Sequence, residues 1–244
     1  MNFAIKKCIA WGDGKTCDSD WQAFANSASL DAQTLTLPEL KMIPAMQRRR
    51  LSGFAKITLH CALEVSGEYQ HGIASVFSSR HGDLHKTSKL ISDVASKDAL
   101  SPTHFGLSVH NAVGGLFSIF TGNKAPLSAV SAGEDSFFMG LVDAVAKLHH
   151  HGYQRILYVY SDQAVPAIYQ DYVQQQPDNA AIGLLIEPAN NTDNSFTLTC
   201  TSHDQQKVTE NSQLQALDFL KFYFTNQNTL TVESKYYQWQ LSRL

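Results

Sequence analysis

Apolar positions along the chain fall into two rhythms. Short continuous runs suit buried strands, and residues recurring every three or four positions suit helices packed on one face. Phe3 to Ala10 reads as a first strand, closed by Gly12 and Gly14. Residues 13–44 carry neither rhythm and read as loop, with Pro38 and Pro44 as breakers. Met46, Leu51, Phe54, Ala55, Thr58, Leu59 and Ala62 recur at helical spacing, which predicts one helix running to about Val65. Ile73 to Ser78 predicts a strand, and residues 83–97 a helix with Leu84, Leu90, Ile91 and Val94 on one side. Ser101-Pro102 is a helix start with Pro at the first helical position. Asn111 to Phe120 predicts a helix whose Gly114 and Gly115 require close packing against another backbone. Leu127 to Val130 predicts a short strand, and Asp135 to His149 an apolar helix stopped by Gly152. Strands follow at Arg155 to Tyr160, Ala181 to Ile186 and Phe196 to Thr201, then a helix over 212–225. Leu230 to Leu241 reads as one last strand, on which Tyr236, Tyr237 and Trp239 mark a half-buried face. Helices and strands alternate, so the expected fold is layered α/β in a single domain over 1–244.

Composition narrows the function without naming it. The 244 residues are 43% hydrophobic and 17% charged, which is ordinary for a folded domain with a sizeable core. The net charge of −3 supplies no broad basic surface, so nucleic-acid binding is not expected. Arg48, Arg49 and Arg50 form the only dense basic run. Cys8, Cys17, Cys61 and Cys200 make no metal-binding spacing and read as reduced thiols. No apolar stretch is long enough for a membrane span or a secretory signal, so a cytoplasmic protein is expected. His149, His150 and His151 point in different directions on a helix and read as a helix C-terminus, not a metal site. Gly12-Asp13-Gly14 is a turn signal, too short for a phosphate loop.

The most informative segment is the strand–turn–helix over 127–148. Such an elbow presents a side chain above a helix N-terminus, where free N–H groups stabilise an anion or developing oxyanion. One reading is a hydrolase elbow, because Ala129-Val130-Ser131-Ala132-Gly133 imitates G-x-S-x-G with Ala first. Ser131 would then be the nucleophile, with His203 and Asp162 as the only loose partners. A second reading needs no chemistry: Ser131 and Glu134 form a capping box.

The third reading rests on family likeness. The run Ser101-Pro102, Ser108-Val109-His110-Asn111-Ala112, Gly115, Ile119, Gly122, Pro126 and Ala132-Gly133-Glu134 resembles the N-terminal half of β-ketoacyl synthases. It is similar in particular to short synthase-like subunits of aryl-polyene and related type II polyketide machinery. Pro44 to Leu51, reading PAMQRRRL, also matches their early segment. The likeness is strongest over 44–64 and 101–148 and fades after about residue 160.

That resemblance implies a thiolase-like αβαβα fold with a truncated second half. It places Glu134 where the family's nucleophilic Cys stands, and a carboxylate is a poor substitute for a thiolate that accepts acyl groups. The His pair of the family's second half has no counterpart, since His203 lacks the surrounding glycines. The implied role is therefore a non-catalytic chain-length factor paired with an active β-ketoacyl synthase, meeting an acyl carrier protein transiently and needing no metal or cofactor. His104, Phe105, Ser108 and Ala112 would face the partner's acyl pocket, where each methylene of depth discriminates by about 1–3 kcal/mol. Asn111, Gly115, Phe117 and Phe120, with Gly114, would make the dimer contact. Arg48, Arg49 and Arg50 would meet the carrier, and Glu134 would cap the elbow. A serine acyltransferase or esterase and a structural homodimer are the alternatives.

Overall fold

The computed structural model describes residues 1–27, 36–173, 179–190, 194–203 and 214–244. Strand β1 (Asn2–Gly12) opens the chain and is followed by helices α1 (Asp18–Asn26), α2 (Ala45–Arg48) and α3 (Gly53–Ser66). Strand β2 (Ser75–Ser78) leads to α4 (Leu84–Ala95), α5 (Pro102–Gly106) and α6 (Ala112–Thr121). Strand β3 (Leu127–Val130) enters α7 (Ser136–His150) through a 3-10 turn at Gly133–Asp135. Then come β4 (Ile156–Asp162), β5 (Ala180–Glu187), β6 (Ser195–Ser202), α8 (Gln215–Tyr223), β7 (Thr229–Glu233) and β8 (Tyr237–Arg243).

All eight strands form one sheet in the order β3-β2-β4-β5-β1-β6-β8-β7. β2 runs parallel to β3 and β4, and every other pairing is antiparallel. Every residue of β4 is buried, as expected of a strand covered on both faces. One face carries α3 and α6, through Phe54, Leu59, Ala62 and Phe117. The other carries α1, α7 and α8, through Trp21, Phe137, Leu141 and Phe219. The result is a three-layer α/β/α unit, with the carboxyl ends of the parallel strands β2, β3 and β4 gathered on one side.

Three expectations change. The segment 13–44 is not all loop, because α1 forms on two buried residues, Trp21 and Phe24. Its start is fixed by Asp20, whose carboxylate accepts from the N–H of Thr16 and Cys17 at 2.9 and 3.1 Å. The first of these bonds leads in holding the carboxyl below its usual range. Residues 28–35 of that segment lie outside the described residues. The single helix expected from Met46 to Val65 breaks in two, because Ser52 Oγ caps α3 by accepting from Ala55 N at 3.1 Å. The single last strand is a hairpin. Ser234 N donates to Tyr237 O at 2.8 Å, which folds the chain back and leaves Tyr236 46% exposed in the turn.

Helix α8 carries a pH-dependent group. Burial pushes the Asp218 carboxyl from 3.8 up to about 6, with Lys221 pulling the other way. The folded chain thus holds this proton more tightly than the unfolded chain, so its contribution to stability is lost as pH rises between those two values. Asp218→Asn is expected to raise the melting temperature at pH 7 while leaving it near the parent's at pH 4, measured by thermal unfolding at both.

Candidate functional site

The elbow lies at the end of β3, between the sheet and α7. Gly133 sits at φ +59, a conformation that side-chain-bearing residues rarely adopt, and this sets the sharp turn. Ser131 is exposed, and its Oγ donates to Arg80 O at 3.1 Å. It does not cap the helix. Ser136, the first residue of α7, ties the turn instead, accepting from Ala132 N at 3.0 Å and donating to Gly133 O at 2.7 Å. The capping box expected of Ser131 and Glu134 is therefore absent. Glu134 turns away from its own helix and accepts from Lys235 N, in the β7–β8 turn, at 2.6 Å.

Its neighbour Asp135 is 3% exposed, and its Oδ1 accepts from Trp239 Nε1 at 2.7 Å and Gln215 Nε2 at 2.8 Å. The two carboxylates thus fasten β8, the hairpin turn and α8 to the elbow. The sequence singled out Glu134 but gave no signal for Asp135, whose partners lie 80 and 104 residues away. No cysteine stands on the elbow. Cys200, on β6, feels the Asp135 charge, and burial followed by that charge pushes its thiol up. That is the opposite of the shift that makes a reactive thiolate.

The serine-nucleophile reading finds no relay. Asp162 is fully buried at the end of β4. It accepts from Ser79 Oγ at 2.9 Å, Arg80 N at 3.0 Å, His81 N at 3.1 Å and Tyr160 OH at 2.6 Å. Its work is to pin the loop after β2. Burial pushes the His81 imidazole in that loop down, against the pull of Asp162. His203 is held through its own N–H, which donates to Tyr236 O at 2.9 Å. Among the described residues, no hydrogen bond joins any two of Ser131, Asp162 and His203.

The residues expected at a partner surface divide. Phe105 is 61% exposed on α5, and His104 and Asn111 are exposed. Ser108 and Ala112 are half-buried, and Ser108 Oγ donates to Phe105 O at 2.8 Å. On α6, a Cβ at Gly115 would meet nothing within 4 Å, whereas one at Gly114 would lie 2.9 Å from Leu127 Cδ1. Gly114 is thus the position that packs closely within the chain, against side chains and not backbone. Phe117 is a correction. It is fully buried with its ring 5.8 Å from that of Phe77, so it belongs to the chain's own core and not to a contact surface. Phe120 is half-buried against the same core.

The arginine run also divides. Arg48 and Arg49, with Lys41 and Lys56, border a hollow of about 440 Å³, while Arg50 borders a different groove beside Phe54 and Ala112. Arg48 Nη1 donates to Leu40 O at 3.3 Å. His149, at the end of α7, has Nε2 2.8 Å from Asn2 O.

The three-layer α/β/α arrangement, its strand order and the elbow define a thiolase-like unit of the ketosynthase kind. The chain belongs to the family of the β-ketoacyl synthase N-terminal domain, which it matches over residues 21–242. It is similar to a chain of the complex between the ketosynthase ApeO and its chain length factor ApeC from Xenorhabdus doucetiae. That match has a TM-score of 0.85 and 29% identity and covers 100% of both chains. It also superposes on a chain of the ishigamide ketosynthase/chain length factor, with a TM-score of 0.62, 12% identity, and 83% and 68% of the two chains covered. A β-ketoacyl synthase from Burkholderia phymatum STM815 gives a TM-score of 0.66 at 9% identity, covering 93% of this chain and 71% of that one. The last two likenesses speak for the fold alone. No curated protein matches the sequence significantly. No helix among the described residues is long and apolar enough to cross a membrane.

Proposed function

We propose that the chain is a non-catalytic chain-length factor that pairs with an active β-ketoacyl synthase and shapes that subunit's acyl pocket. The pair would carry out decarboxylative Claisen condensation on carrier-bound acyl thioesters during polyketide or aryl-polyene assembly. The partner's cysteine would hold the acyl chain and leave as thiolate when the decarboxylated extender attacks. The observation that carries this reading is the elbow. Its acidic side chain is committed to Lys235 N, and the nearby thiol, Cys200, is pushed toward the unreactive form. The likeness to a chain of a ketosynthase–chain length factor complex supports the same assignment.

The partner surface would lie around α5 and α6. Phe105, Val109 and Ile119 are 61%, 46% and 72% exposed there, and β3, which α6 contacts, is an edge strand of the sheet. Arg48, Arg49 and Lys56 offer a basic rim that suits an acidic carrier protein, while Lys41 on the same hollow is paired with Glu39 at 2.7 Å.

The test is acyl loading read by intact mass. Incubated alone with acyl-loaded carrier, the chain is expected to gain no acyl mass. Co-purified with its synthase, the added mass is expected on the partner only. A covalent acyl adduct on the isolated chain, or condensation without a partner, overturns the reading.

A further inference from the structure

Helix α4 leaves half of the face that its sequence marks for burial in solvent, with Leu84 half-buried and Leu90 covered. Of the four apolar residues on that side, only Leu90 is buried. Ile91 and Val94 are 54% and 60% exposed. A 12-residue helix is marginal in water unless its apolar face is covered. The side chains that tether α4 cluster in its first turn. Asp83 Oδ1 accepts from Lys86 N at 3.3 Å, His85 Nε2 lies 2.8 Å from Ala164 O, and Thr87 Oγ1 donates to Ser108 O at 3.5 Å. Beyond that turn, Leu90 is the buried anchor.

The bare surface does not stop at the end of α4. Leu100, in the connection that follows, is 43% exposed, and Phe105 and Val109 continue it on and after α5, which touches α4. The cations on the helix are neutralised locally, Lys86 by Asp83 at 3.7 Å and Lys89 by Asp93 at 2.6 Å. Lys97 and Asp98, both exposed in the connection that follows, balance in formal charge, so an acidic carrier protein finds no net attracting charge here. Exposed apolar residues on two touching helices, without net charge, have the character of a subunit interface, whose core is depleted of charged residues.

We propose that the outer side of α4, carrying Ile91, Val94 and Leu100, docks on the catalytic synthase subunit and extends the contact made by α5 and α6. This rests on the heterodimer reading, and the experiment separates the two. The chain is co-expressed with its synthase as wild type, as Ile91→Glu/Val94→Glu and as Phe105→Glu, and complex formation is followed by light scattering and titration. All three altered positions are exposed, so the isolated variants are expected to melt as the parent does.

The α4 double variant is expected to raise the dissociation constant by about 100-fold or more. If Phe105→Glu breaks the complex and the α4 variant binds as wild type, the α4 docking surface is wrong and the heterodimer stands. If the wild-type chain forms no complex, both fall. If the wild-type chain dimerises with itself and the α4 variant is monomeric, the surface serves a second copy and the proposal is overturned.

Discussion

Asp135→Ala is expected to destabilise the chain by about 2–6 kcal/mol, a large share of the 5–15 kcal/mol that holds a typical domain together. The carboxylate is nearly inaccessible and is the acceptor for two buried donors, Trp239 Nε1 and Gln215 Nε2. Removing it leaves both unmet, at about 1–3 kcal/mol each. The loss is not local. Gln215 Oε1 also accepts from Phe138 N at 3.5 Å, and Trp239 stacks on Phe138 with ring centroids 5.2 Å apart. The elbow, α8 and β8 therefore loosen together. Asp135→Asn keeps an acceptor oxygen at the same place and is expected to lose much less. Urea unfolding followed by tryptophan emission checks both. An alanine variant as stable as the parent would show that these two bonds contribute nothing.

The same network shows what a sequence can and cannot disclose. The all-apolar run at β4 was legible because a strand covered on both faces needs no alternation. The helix carrying Phe54, Leu59 and Ala62 was legible by its period. Its break before Ser52 was not, because the cap is one local bond that periodicity does not register. Helix α1 escaped because it buries only two residues. The hairpin at 234–236 escaped because the chain turns there without Gly, Pro or Asn.

The elbow itself was found, yet the direction of Glu134 was not. Its partner is 101 residues downstream, beyond the reach of any local rule. Asp162 is similar, a lone acid at a strand end whose donors other than Tyr160 OH come from a loop some 80 residues earlier, Arg80 N at a separation of 82. Helix α4 carries a different lesson. Leu84, Leu90, Ile91 and Val94 announce correctly which side of the helix is apolar, but periodicity is silent on whether the chain itself or another chain covers that side.

The two adjacent glycines of α6 put the partner reading to its sharpest test, because one substitution at each should act on different equilibria. Gly114 faces inward, and a Cβ there would lie 2.9 and 3.0 Å from the two Leu127 methyls and 3.1 Å from Phe77 Cδ2. Gly114→Leu therefore overpacks the core and is expected to cost about 1–3 kcal/mol of folding stability, or more if β3 is displaced. Gly115 faces outward, where a Cβ meets nothing within 4 Å. A glycine inside a helix costs about 1 kcal/mol relative to alanine, so Gly115 weakens α6 with no compensating contact inside this chain. A closely approaching partner would supply the missing reason. Gly115→Leu is then expected to leave the isolated chain as stable as before, or slightly more so, while weakening its complex with the synthase by about 100-fold, near 3 kcal/mol. Thermal unfolding of the two variants alone, set beside titration with the synthase, separates the effects. If Gly115→Leu binds as tightly as the parent, the α6 surface does not meet the partner, and the contact must be sought elsewhere on the molecule.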